Sequence, residues 1–142
     1  MEQLDTQMAN RVWLRVQGTA QEQPLPMLVG MLYSCAAGCG RLAKHFRGQD
    51  AQLLQTRSEL LRQAACLQGI HRLRTGEQIN TPALPATQEN AQALLLRCIG
   101  QCLRLQQSLD AQAQDREYGP VFKRMSTQIT THLSLLLELV GK

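Results

Sequence analysis

Acidic side chains are absent from two long stretches of this chain. Residues 27–49 contain no Asp or Glu, and neither do residues 91–109. A site that needs carboxylates at the centre of both stretches is therefore excluded. Aromatics are also scarce, at 4% of the chain. Together with a composition dominated by Leu, Ala and Gln, that argues against strands and for helices. The chain has no run of five basic residues. Its cations (Arg41, Lys44, Arg47, Arg57, Arg62, Arg72, Arg74, Arg97, Arg104, Lys123, Arg124) are dispersed and not interleaved with aromatics. A net charge of +4 spread in this way reads as a solvated surface, with no nucleic acid as partner. No C-x-x-C pair occurs among the five cysteines, and an odd number argues against a disulfide framework. No apolar run reaches the roughly 18 residues of a membrane span. Glu2 and Asp5 precede any apolar stretch, unlike a signal peptide. These absences predict a reduced, cytoplasmic protein with no membrane partner.

What is present reads as helices. Residues 1–25 hold an amphipathic segment, "DTQMANRVWLRVQ" at 5–17, with Trp13 placed to staple it onto the rest; Gly18, Pro24 and Pro26 break it. Residues 26–142 then carry four helical patterns. The first, about 26–47, is striped by Leu28, Leu32, Cys35, Cys39, Leu42 and Phe46, with Gly48 ending it and Asp50 as the next cap. The second, about 50–75, is striped by Leu53, Leu60, Ala64, Leu67 and His71, widened by Leu54, Leu61 and Ile70. A third, about 88–115, uses Ala91, Leu95, Cys98, Cys102, Leu105 and Leu109. After the turn "DREYGP", a fourth, about 120–141, uses Phe122, Met125, Ile129, His132 or Leu133, Leu136 and Val140, with Pro120 in its first turn.

Four long helices predict an all-α four-helix bundle. Two connections are short and imply antiparallel hairpins. The middle one, "GEQINTPALPAT" at 76–87, reaches about 40 Å when extended. A helix of about 25 residues is about 37 Å long. The linker can therefore run the length of the bundle and leave the second and third helices parallel.

The cysteines fall on the core stripes as i, i+4 pairs, Cys35 with Cys39 and Cys98 with Cys102. Side chains at that spacing lie about 5–6 Å apart at Cβ, so their sulfurs can close on a soft ion such as Cu(I) or Zn, with His132 and Met125 as further ligands. The plainer expectation is packing, since buried free cysteine behaves as a small hydrophobe. Ala36, Ala37, Gly38, Gly40 and Gly100 nearby suggest close helix approach. Cys66 reads as structural, His45 and His71 as surface or helix-end residues, and Glu59 as a solvated helix residue. His132 reads as a buried remnant bonded to a neighbour.

Four strings, "RVWLRV", "AACLQGIHRLRTGE", "REYGPVFKRM" and "HLSLLLELVG", in this order, resemble the rubrerythrin-like branch of the ferritin-like superfamily. The resemblance spans about residues 10–141. It implies a ferritin-like bundle with a crossover between the second and third helices. It also implies a di-iron centre held by one Glu from each of helices 1 and 3 and a Glu-x-x-His pair from each of helices 2 and 4. Carried onto this chain, those positions fall on Leu32, on Leu60 and Gln63, on Cys102, and on Ile129 and His132. Only His132 matches. Glu59 is adjacent to position 60 but about 100° round the helix. The expectation is thus a non-enzymatic domain that has lost its di-iron site and retains no cofactor. It would serve as a binding or structural module for an unidentified protein partner or a second copy of itself. The alternative is a soft-metal site on Cys35, Cys39, Cys98, Cys102 and His132.

Overall fold

The computed structural model describes residues 24–80, 84 and 89–142. The amphipathic segment expected over 1–25, with Trp13, lies almost wholly outside the described residues. Four helices pack together: α1 (Leu25–His45), α2 (Asp50–Thr75), α3 (Ala91–Gln112) and α4 (Gly119–Leu139). No strand occurs among the described residues.

Local chemistry sets the helix ends. Pro26 and Pro120 stand in the first turns of α1 and α4, where the missing N–H leaves no hydrogen bond unmade. Asn90 caps α3, its side chain accepting from the N–H of Ala93 at 2.8 Å. The third helix thus begins at 91, three residues later than its pattern suggests. Gly76 ends α2 at φ 75°, and its N–H reaches back to the Arg72 carbonyl at 2.8 Å. Asp50 is the first residue of α2 rather than its cap, and a 3-10 turn, Arg47–Gln49, joins it to α1. Before α4, Asp115 accepts the N–H groups of Tyr118 (2.7 Å) and Glu117 (3.0 Å). The Tyr118 N–H chiefly, then that of Glu117 and the Arg74 guanidinium, hold the Asp115 carboxyl below the usual carboxylate range against a smaller opposing effect of desolvation. Gly119 is required there, because a Cβ would meet the Ala113 carbonyl oxygen at 2.5 Å.

Cross-helix contacts fix the directions. Ser34 meets Arg97 and Gln101, Cys35 meets Cys102, and Arg41 meets the Glu89 carbonyl, so numbers rise on α1 as they fall on α3. Asp110 meets Ser126 and Gln106 meets Thr130, which makes α3 and α4 antiparallel. On the opposite side Gln63 meets Gln128, Glu59 meets His132, and Arg74 meets Asp115, so α2 and α4 are antiparallel too. α2 and α3 consequently run in the same direction, and the connection between them joins opposite ends of the bundle.

The core follows the predicted stripes with corrections. Leu28, Leu32, Cys35, Cys39 and Leu42 are fully buried on α1, and Leu95, Cys98, Cys102, Leu105 and Leu109 on α3. Each buried leucine contributes about 1.5–3 kcal/mol relative to exposure. On α2, however, Leu54 and Leu61 are exposed, His71 is only half-buried, and the polar Thr56 and Gln63 take core positions. The buried face is 53, 56, 60, 63, 64, 67, 70, a stricter helical stripe than the hydrophobic residues alone outline. On α4 both His132 and Leu133 are buried, and Leu139 rather than Val140 completes the stripe. Phe46 and Ala91 sit half-buried at helix ends. α1 is, by length and composition only, apolar enough to cross a membrane (best-window mean hydropathy 1.2), contrary to the expectation from uninterrupted apolar runs; half of that window is buried inside the bundle.

Candidate functional site

The cysteine stripes of α1 and α3 face one another. Cys35, Cys39, Cys98 and Cys102 are all 0% exposed. The Sγ atoms of Cys35 and Cys102 lie 3.6 Å apart. The Cys39 and Cys98 thiols also act on Cys35, although only the Cys35–Cys102 pair comes within hydrogen-bond distance. Antiparallel packing produces this convergence. Two i, i+4 pairs on facing helices meet only if their depths match, and here Cys35 stands opposite Cys102. Gly38 completes the fit. A Cβ at that position would sit 2.5 Å from the Cys98 sulfur and 3.4 Å from Leu94 Cδ1, so the missing side chain is what lets Cys98 enter the seam. Of the other small residues expected to bring helices together, Gly40 lies against Arg57, whereas Gly100 meets nothing within 4 Å and Ala37 is exposed.

The thiols are not equivalent. The hydrogen bond with Cys102 first, then the neighbouring Cys39 and Cys98 thiols, together with burial, push the Cys35 thiol well above the ordinary range. The Cys98 thiol moves the other way. The neighbouring Cys35 thiol lowers it, helped by the charges of Arg97 and Arg41 and opposed by burial and Glu89. Within this pair the proton therefore stays on Cys35, and Cys98 is the sulfur more ready to become a thiolate.

A polar belt runs along the outer edge of the same seam. Arg97 donates to Ser34 Oγ at 2.8 Å and, through Nε, to the two Glu89 carboxylate oxygens at 2.9 and 3.1 Å. Gln101 Nε2 donates to Ser34 Oγ at 3.0 Å. These residues were not singled out from the sequence, but a signal for them was there. Ser34, Arg97 and Gln101 each immediately precede a stripe cysteine. One position back along a helix is about 100° round it, which is the edge of the seam rather than its floor.

The other named residues lie elsewhere. Cys66 is exposed, correcting the expectation of a structural role. His132 is buried and directed to Glu59, with Nε2 and Oε2 3.4 Å apart. That spacing lacks hydrogen-bond geometry, and Nε2 has no partner among the described residues. Burial lowers the His132 pKa below its ordinary value, and the Glu59 charge only partly offsets this. The imidazole is neutral at pH 7, so the contact is polar rather than an ion pair. Glu59 is half-buried, not fully solvated, and with Thr56, Glu138 and neighbouring residues lines an open groove of about 370 Å³ on the α2–α4 side. Met125 packs in the core.

The positions at which the resemblance places iron ligands can be tested directly. Leu32, Leu60, Cys102 and Ile129 are all fully buried, and Gln63 donates to Gln128 at 2.8 Å. Near them, among the described residues, the structure offers His132 with Glu59 and Glu138 on the groove side and no carboxylate from α1 or α3 at that depth, and two bridged irons need more than that. The residues present do not fit a di-iron centre. Among the described residues, no three His, Cys, Asp or Glu side chains already close on a single ion-sized point. Comparison of the chain with protein-family models, with curated proteins and with solved structures finds no match.

Proposed function

We propose that this chain is a ferritin-like bundle of the rubrerythrin-like kind that has given up di-iron chemistry and acts as a binding or structural module. The observation that carries this reading is the chemistry of the former ligand positions. Four of the six hold buried side chains with no hard donor (Leu32, Leu60, Cys102, Ile129), and a fifth holds an amide. Placing two iron cations there without carboxylates would cost many kcal/mol in uncompensated charge. The parallel course of α2 and α3 supports the ancestry, because such a bundle needs a crossover between its second and third helices. Five free cysteines support work in a reducing, cytoplasmic setting.

The test is iron loading. Anaerobic Fe(II) added to the reduced protein, followed by desalting and elemental analysis, should leave far less than one iron per chain. Admission of oxygen should oxidise Fe(II) no faster than buffer does. Two retained irons per chain with rapid oxygen consumption would overturn the reading.

A further inference from the structure

We propose that the buried cysteine cluster between α1 and α3 is a Cu(I)-binding site, with Cys35 and Cys102 as the primary ligand pair and Cys98 and Cys39 as the sulfurs beside it. The inference uses only the thiols and the helices that carry them, and it stands whether or not the ferritin-like ancestry does.

Four observations carry it. First, four sulfurs from two helices occupy one fully buried region. Packing alone asks only for small apolar volume there, which Ala supplies without thiol chemistry. Second, the donors are all soft. The nearest acids are at the edges: Glu89 bonds outward to Arg97, and Glu59 lies on the α2–α4 side. Soft donors without carboxylate select Cu(I) or Zn over the hard cations. Third, the arrangement suits a low coordination number. Zn in a structural site takes four ligands around one point, and no such ready-made point exists among the described residues. Cu(I) is satisfied by two thiolates, and the Cys35–Cys102 pair at 3.6 Å needs only small side-chain movements to hold one ion between them. Fourth, Gly38 is cut away where the Cys98 sulfur enters, so a third sulfur stands next to the pair.

The charge balance favours few thiolates, because Cys35 holds its proton above the ordinary range and must give it up on binding. Each ligating thiol releases one proton, so one Cu(I) on two sulfurs leaves a single net negative charge in the core. Arg97 and Arg41 act on this region with the opposite sign, offset in part by Glu89, which pairs with Arg97. A four-thiolate Zn site would leave two negative charges, at a larger cost in a dry interior. The half-buried Ser34, Arg97 and Gln101 border the site and are joined by side-chain hydrogen bonds.

The experiment starts from Cys66→Ser, which removes the exposed thiol. Under anaerobic, reducing-agent-free conditions, this variant is titrated into Cu(I) held by the chromophoric chelator bicinchoninate. It should withdraw copper from the chelator and release about two protons per ion into weakly buffered solution. Its unfolding temperature should rise in the presence of Cu(I). Adding Cys35→Ser and Cys102→Ser should weaken copper withdrawal by more than the roughly 10–100-fold that loss of an outer-sphere partner costs. Should the triple variant fail to fold by circular dichroism, proton release and thermal shift of the Cys66→Ser protein still decide. The proposal is overturned if Cys66→Ser neither withdraws Cu(I) nor gains thermal stability. It is equally overturned if the folded triple variant binds as tightly, or if mild oxidation joins Cys35 to Cys102 in a protein that ignores copper.

Discussion

The two long seams of this bundle solve opposite problems. The α1–α3 seam is dry, contains four thiols, and depends on a missing side chain at Gly38. The α2–α4 seam is polar and partly open, held by Gln63–Gln128 and by the poorly aligned Glu59–His132 contact beside a groove of about 370 Å³. Both are antiparallel and both are built from helices with regular apolar stripes. The difference lies in what stands at the few positions that face the centre. Where Leu32, Cys35 and Cys102 stand, the seam is closed. Where Gln63 and His132 stand, the interior is polar: among the described residues Gln63 Oε1 and His132 Nε2 are buried without a hydrogen-bond partner, as is Gln101 Oε1 at the edge of the other seam.

Three measurements break or sharpen that contrast. The largest effect should come from placing a carboxylate on the buried apolar face of α2. Leu60→Glu at a fully buried position should cost on the order of 3–5 kcal/mol in urea unfolding at neutral pH, as an unpaired buried charge does. Desolvation raises the carboxyl's pKa in the folded state, so the deficit should shrink as pH falls through that raised value. A deficit unchanged by pH would mean that the centre is wetter than described. Next comes Gly38→Ala. Its Cβ would stand 2.5 Å from the Cys98 sulfur, and overpacking of this kind costs about 1–3 kcal/mol. Pairing it with Cys98→Ala should recover much of the loss, and strict additivity in the cycle would break the claim that the two positions share one space.

The smallest effect belongs to the polar seam. His132 has a lowered pKa in the fold, chiefly through burial, so the unfolded chain binds its proton more readily. Stability should be full above the unfolded value near 6.5, fall as pH drops below it, and level off beneath the folded value. Subtracting the profile of His132→Leu should isolate that slope. A difference curve flat from pH 5 to 7, on the order of the ordinary titration range of histidine, would mean that the imidazole is solvated.

Sequence alone determined the helices, because apolar spacing and terminal residues are local. Pro26, Gly76 and Pro120 stand at helix ends, whereas the Asn90 cap came only with the structure, and Cys35, Cys39, Cys98 and Cys102 were legible as core residues from their stripes. Hydrophobicity misled on α2, where Leu54 and Leu61 face outward while Thr56 and Gln63 face in, since position on the helix outranks side-chain type once neighbours on two sides are set. Tertiary structure alone decided which helices are neighbours and at what depth they meet. Periodicity records a face but not the partner opposite it. Only the antiparallel register of α1 on α3 brings Cys35 to Cys102 and gathers Ser34, Arg97 and Gln101 along the seam edge, and only that of α2 on α4 turns His132 towards Glu59.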